Sequence, residues 1–203
     1  MHKDEIVKAV KHLSMHDKVL STIINNNGII NLTRHKQYFN LLLRSIIGQQ
    51  LSMYAAAAIE KRFMDYFGNS PKPESVLAAE DQTLRLLGLS NAKIKYVKDL
   101  SQKVISGEVV LNGISKKTDD EIIAELTKVK GIGVWTVHMF LIFTLGRPDI
   151  LPFSDLGVRK AIMTNYGLKK MPEEKKVLEI ARKNNWHPYC STASLYLWKS
   201  LEF

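Results

Sequence analysis

Hydrophobic positions recur along this chain at helical spacing, and period-two alternation of the strand type is hard to find. Residues 3–14 place Ile6, Val7, Val10 and Leu13 on one face of an amphipathic helix. The stretch Ile23 to Thr33, with "NNNG", reads as a loop. From His35 to Phe67 the pattern predicts two helices broken near Gly48. The first would bury Phe39, Leu42, Leu43 and Ile46; the second runs through "MYAAAAIEKRFMDYF", whose alanines permit close helix packing. "GNSPKPESV" is a loop, and Pro73 with Ser75 starts a short helix. A glycine turn at Gly88 then leads into a basic helix. Thr118, with Glu121 three residues on, has the form of a capping box, and Ile122, Ile123, Leu126 and Val129 follow at helical spacing. Beyond Gly131-Ile132-Gly133 a second helix carries Trp135, Met139 and Phe143 on one side. "GRPDILPFSD" is a loop and "LGVRKAIMTNYG" a helix closed by Gly167. Further helices near Glu173–Asn184 and Ser191–Leu201 finish the chain. There is no internal repeat or low-complexity segment, and the fold class is all-α.

Length and charge narrow the picture. At 203 residues and 45% hydrophobic, the chain can build one domain, or two small intertwined lobes, with a real core. Lys plus Arg is 29 against 20 for Asp plus Glu, a net charge of +9. Such a surplus favours a polyanionic partner, nucleic acid first, with simple solubility as the alternative. The one cysteine, Cys190, excludes an intrachain disulfide and a cysteine-ligated zinc or iron–sulfur cluster. The N-terminus "MHKDEIVKAVKHL" lacks the apolar core of a signal peptide. The most apolar run, Val134 to Leu145, is interrupted by His138 and is too short for a bilayer. These features predict a soluble intracellular protein with no membrane partner, in the cytoplasm and nucleoid or in a nucleus.

Gly131-Ile132-Gly133 interrupts what could be one helix. Glycine inside a helix costs roughly 1 kcal/mol relative to alanine. In return a Gly-x-Gly permits a tight hairpin and close backbone approach to a ligand. The N–H groups opening the second helix, around Val134 and Thr136, can seat a phosphate without a side chain. Taken alone, a Gly-x-Gly is more often an ordinary turn between helices.

Four stretches in order change that balance. "VKGIGVWTVHMFLIFTL" followed by "DILPFSDLGVRKAI" resembles the hairpin, loop and aspartate of the helix-hairpin-helix DNA glycosylases. "LLLRSIIGQQLSMYAAAAI", "LGLSNAKIKYVKDLS" and "NNWHPYCSTASLYLW" are similar to that family's duplex-entering segment, second minor-groove loop and pocket-closing helix start. The subgroup is the 3-methyladenine DNA glycosylase II type, in a compact form. The resemblance implies a single helix-hairpin-helix glycosylase domain over residues 1–203. Its central lobe would span about 40–115, and a second lobe, about 1–39 and 116–203, would carry the hairpin and Asp155. The DNA- and base-binding cleft would lie between the two lobes.

Within this resemblance Asp155, twenty positions after Trp135 and directly before a helix, is the catalytic aspartate. Breaking an N-glycosidic bond builds positive charge on the deoxyribose, which an ionised carboxylate stabilises. Unit charges about 4 Å apart attract by roughly 4 kcal/mol at an effective dielectric of about 20, about a thousandfold in rate. Taken by itself, Asp155 reads first as an N-cap, and the two roles are compatible. Asp149 is the rival carboxylate, read as a loop residue. Trp135, Met139, Tyr189 and Trp186 or Phe39 would line the base pocket, with His138 beside it or simply structural. An aromatic wall recovers stacking after base flipping and favours a base made cationic by alkylation. Without the resemblance these side chains read as core.

The resemblance assigns Gln50 and Leu51 to the wedge filling the gap of the flipped base, Ser90 to the opposite side and Lys93 to phosphate. Gly131, Gly133, Val134 and Thr136 would grip the backbone. Lys95, Lys98 and Lys103 read as a solvated basic face. Main-chain carbonyls of Thr127, Val129 and Ile132 would hold a structural sodium or potassium ion; no other cofactor, and no iron–sulfur cluster, is implied. Trp135 stands where strand-nicking relatives carry a Schiff-base lysine, so the implied reaction is hydrolysis without lyase chemistry. The expected enzyme is a monomer that excises alkylated purines such as 3-methyladenine and 7-methylguanine from damaged double-stranded DNA. Removal of deaminated or oxidised bases, a non-catalytic DNA-binding module and a helical interaction protein are the alternatives.

Overall fold

A computed structural model describes residues 3–30 and 36–201, and every regular element among them is helical. Chain contacts divide it into two compact units. One comprises the described residues of Met1–Arg34 and Leu141–Phe203, the other those of His35–Phe140. The division at Phe140–Leu141 differs from the expected boundary near residue 115 and puts the glycine hairpin with the central helices. The hydrogen bonds of the hairpin explain this. The Lys130 N–H donates to Asp99 Oδ2 at 2.8 Å, and Gln49 Nε2 donates to the Gly131 carbonyl at 2.8 Å.

In the first unit, α1 (Lys3–His16) and α2 (Lys18–Asn27) meet at Asp17, which caps α2. Helix α2 includes Ile23–Asn27, where the sequence pattern suggested a loop. Ile23 and Ile24 continue the buried face begun by Leu20, and the helix ends at Gly28, whose φ of +65° suits glycine. The rest of that expected loop, residues 31–33, and His35 lie outside the described residues. Helices α10 (Leu156–Asn165), α11 (Glu174–Lys183) and α12 (Cys190–Lys199) complete the unit. Leu13, Leu20, Val158, Ile162, Trp186, Tyr196 and Leu197 form much of its core. Helix α12 is buried from Cys190 to Leu197. Its hydroxyls therefore find internal partners, such as Ser194 Oγ on the Cys190 carbonyl at 2.8 Å and Tyr196 on the Gly28 carbonyl at 2.8 Å.

The second unit contains α3 (Tyr38–Gly48), α4 (Met53–Tyr66), α5 (Pro73–Ala78), α6 (Asp81–Leu86), α7 (Asn91–Ile105), α8 (Asp119–Leu126) and α9 (Val134–Met139). Helix α7 packs on α3, α5 and α6 through Ile94, Val97 and Leu100. Leu42, Leu43, Ile46 and Ile47 form the buried face of α3, while Phe39 is only half-buried. Close packing at the alanines holds at Ala56, whose Cβ lies 3.9 Å from where a Gly48 Cβ would be; Ala57 and Ala58 are exposed. The capping box forms as expected: the Glu121 N–H donates to Thr118 Oγ1 at 3.3 Å and the Thr118 N–H to Glu121 Oε2 at 2.7 Å. After α9 the chain continues as a π-helical segment, Phe140–Leu145, in which the wider turn changes side-chain phase. The face expected to carry Trp135, Met139 and Phe143 is thereby divided.

Candidate functional site

The hairpin is built by α8, a seven-residue turn and α9. Val129 and Ile132 are buried and anchor the turn, and the Ile132 N–H donates to the Val129 carbonyl at 3.0 Å. The two glycines answer different demands. Gly131 has φ +82°, and a Cβ there would sit 2.2 Å from the Tyr96 ring, so backbone conformation and packing both require glycine. Gly133 caps α9 with φ −96°, and a Cβ there would meet nothing within 4 Å. The fold does not need glycine at this position. Gly131, Gly133 and Val134 are exposed, and the Thr136 side chain is buried. The carbonyls of Thr127, Val129 and Ile132 are neutral oxygen donors, the class suited to a hard cation. Val129's carbonyl also accepts the Ile132 N–H and, like any carbonyl, has a second lone pair.

A concavity of about 680 Å³ lies in the same unit, lined by Trp135, Met139, Tyr96 and Gln49 with Gln50, Leu51, Ser90 and Lys93. The residues expected for the wedge, its opposite side and part of the pocket are thus brought together. Gln50 is exposed and has φ +56°, a left-handed conformation uncommon outside glycine. Leu51 is exposed, and Met53 and Tyr54, at the start of α4, are 85% and 88% exposed. Ser90 caps α7, its Oγ accepting the Lys93 N–H at 3.3 Å. Lys93, expected on phosphate, donates through Nζ to the Ile47 carbonyl at 2.7 Å, at the negative end of α3. Desolvation there lowers its pKa below the ordinary lysine value. Lys98 and Lys103, expected on a free basic face, pair with Asp81 and Glu108.

The other expected pocket residues have surroundings of their own. Trp186 is fully buried in the core, its indole donating to Asp17 Oδ2 at 2.7 Å, and no surface remains to meet a base. His138 is 6% exposed and does not line the concavity; burial holds its imidazole below the usual histidine range, against the opposing charge of Asp119. Phe39 lies on a different surface of its unit, beside Tyr38, Leu111 and Gly113. Tyr189 is half-buried in the first unit and packs edge-on against His12, ring centroids 5.2 Å apart.

Asp155 caps α10. Its Oδ1 accepts the Val158 N–H at 2.8 Å and the Trp198 indole N–H, also at 2.8 Å, and the residue is 9% exposed. The rival, Asp149, ties the start of α12: it accepts the Cys190 N–H at 3.2 Å and pairs with His187. The residues missed in the sequence are Gln49, Tyr96 and Trp198. Gln49 had a signal, since it adjoins Gln50 at the α3–α4 break. Tyr96 and Trp198 had none beyond helical periodicity, because their roles depend on partners 35 and 43 positions away.

Residues 43–186 match the family described as HhH-GPD superfamily base excision DNA repair protein. DNA-3-methyladenine glycosylase 1 of Schizosaccharomyces pombe is 34% identical over 208 residues, covering 98% of this chain and 90% of that protein. The solved structure of S. pombe 3-methyladenine DNA glycosylase (Mag1) in complex with abasic DNA superposes with a TM-score of 0.85, at 33% identity and 97% coverage of each chain. A DNA-3-methyladenine glycosidase from Bacillus halodurans gives a TM-score of 0.83 at 35% identity, covering 96% of this chain and 89% of the other.

Proposed function

Because the chain belongs to the HhH-GPD superfamily of base excision DNA repair proteins, we propose that it is a monofunctional DNA glycosylase that excises alkylated purines of the 3-methyladenine and 7-methylguanine type. The observation that carries the reading is Asp155, held by two N–H donors on one carboxylate oxygen and lying within the matched span. As the glycosidic bond lengthens, positive charge grows on the deoxyribose, and the Asp155 carboxylate opposes it and orients the attacking water. Alkylation makes the base a good leaving group, so no general acid is needed. Trp135 and Met139 receive the flipped base, Trp135 supplying a π-face for a cationic ring.

The exposed Gln50 and Leu51 enter the duplex as the wedge, with Ser90 meeting the other side. The N–H groups that open α9 meet a phosphate. The carbonyls of Thr127, Val129 and Ile132 would hold a sodium or potassium ion there, a neutral oxygen set matched to such charge. Lys93 acts on DNA indirectly, fixing the end of α3 from which the wedge departs. The enzyme acts as a monomer, and among the described residues no helix is long and apolar enough to cross a membrane.

The test is incubation of the wild type and Asp155→Asn with methylated duplex DNA, followed by analysis of released bases and strands. Release of 3-methyladenine or 7-methylguanine by the wild type alone, with unbroken abasic strands, is the expected result. Normal release by the variant would overturn the role of Asp155. A borohydride-trapped protein–DNA adduct would overturn the absence of lyase chemistry.

A further inference from the structure

Asp155 is held by a residue from a distant helix. Trp198, on α12, donates its indole N–H to Oδ1 at 2.8 Å, the same oxygen that accepts the Val158 N–H. The backbone bond alone is ordinary N-capping and leaves the carboxylate plane free to turn about its terminal torsion. A second donor from another direction fixes that plane.

The donor is itself held. The Trp198 ring stacks on Phe143, with centroids 5.6 Å apart and planes 26° from parallel. Beside Cδ1 and Nε1 of the indole is Gly157, in the first turn of α10. A Cβ on Gly157 would lie 2.9 Å from Trp198 Cδ1, 3.1 Å from its Nε1 and 3.1 Å from Asp155 Oδ1. Gly157 does not have the positive φ that would itself call for glycine. A glycine within a helix otherwise costs stability, and here the absent side chain is what lets indole and carboxylate meet.

We propose that Trp198 is a positioning residue for the Asp155 carboxylate, with Phe143 and Gly157 setting the angle and closeness of its indole. The inference rests on the catalytic reading of Asp155. Trp198 acts only through that carboxylate, so its loss slows bond cleavage without weakening the grip on DNA.

The experiment measures the single-turnover rate of 7-methylguanine release at saturating enzyme, the Kd for duplex containing an abasic-site analogue, and Tm. Trp198→Phe keeps an aromatic ring on Phe143 and removes the donor. It is expected to lower the rate roughly ten- to a hundredfold, the effect of one hydrogen bond to a charged group. Its Kd should stay within about twofold of wild type. Gly157→Ala retains donor and acceptor but crowds both, and is expected to lose rate in the same way should Trp198→Phe fold poorly. Tyr166→Phe is the matched control: it removes a donor from another capping aspartate of the same unit, Asp17. It should lower Tm and leave the rate unchanged. A wild-type rate in both Trp198→Phe and Gly157→Ala, a rate loss matched by Tyr166→Phe, or a loss that lies in Kd would each overturn the proposal. Normal excision by Asp155→Asn marks a different failure, that of the catalytic reading itself.

Discussion

Asp17 and Asp155 begin from the same local chemistry and end in different roles. Each caps a helix in the same unit, and each takes an indole N–H from a tryptophan far away in the chain. Asp17 has donors on both oxygens. Oδ1 takes the Val19 and Leu20 N–H groups, Oδ2 takes the Tyr166 hydroxyl and the Trp186 indole, and the residue is 2% exposed. That carboxylate is committed to joining α2, α10 and the segment before α12. Burial, together with Asp17, pushes the Tyr166 phenol far above its ordinary range, so it remains a donor. At Asp155 the backbone and indole donors converge on Oδ1. Four donors tie Asp17 to three segments of the chain, whereas the backbone and indole donors on Oδ1 fix the plane of the Asp155 carboxylate at the start of α10.

The same substitution at both positions tests that difference and has the largest expected effect. Asp155→Asn should lower excision by about a thousandfold, the worth of one charge near the developing cation. Its stability should fall by under about 1 kcal/mol, because asparagine caps helices well. Asp17→Asn inverts the outcome. An amide NH2 among four donors should cost about 3 kcal/mol, a Tm lower by roughly 6–12 °C, with excision intact well below Tm. Assays and melts of the two variants check this. Parallel losses of rate and Tm at both positions would erase the distinction.

Much of this was legible in the sequence, but unevenly. Thr118 and Glu121 announced their helix start because a capping box lies within four residues of chain. Gly131-Ile132-Gly133, "GQQLS" and Asp155 marked their segments through a run of residues in order. Trp186 and Trp198 could not be separated. Both precede or lie in the last helix, both donate to a capping aspartate, and only tertiary packing buries one in the core and brings the other to Asp155. The tail of α2 was lost for a similar reason: "NNN" disfavours helix locally, but the burial of Ile23 and Ile24 overrides that preference. The π-helical turn at Phe140 has no local sequence mark, so the single face drawn through Trp135, Met139 and Phe143 did not survive it.

The division between what the fold needs and what a ligand needs recurs in the hairpin glycines, with smaller expected effects. Gly131→Ala meets the Tyr96 ring and a left-handed φ, and should cost roughly 2–4 kcal/mol. Gly133→Ala meets nothing in the protein and should cost under about 1 kcal/mol as a poorer cap. Its effect should instead appear on DNA, where a methyl group beside the opening N–H groups of α9 holds a phosphate away. The Kd for abasic-site duplex should rise about tenfold, as for one lost charge-assisted hydrogen bond. Unchanged affinity in Gly133→Ala would place the phosphate contact elsewhere.

The smallest effects come from two caps in the second unit, Ser90 on α7 and Thr118 on α8. Each side-chain oxygen accepts the N–H three residues on at 3.3 Å, and each alanine substitution should cost about 1 kcal/mol. Melting alone would therefore not tell them apart. Ser90 lines the concavity beside Leu51 and Lys93, whereas Thr118 does not. Ser90→Ala should thus weaken binding to abasic-site duplex a few-fold, the loss of a neutral hydrogen bond, while Thr118→Ala leaves it unchanged. Neither variant removes a charge, so the slope of log Kd against log salt should stay at its wild-type value in both. A salt slope altered by Ser90→Ala would mean that losing this cap frees Lys93 from the Ile47 carbonyl. The serine would then act by holding the loop together rather than by touching DNA.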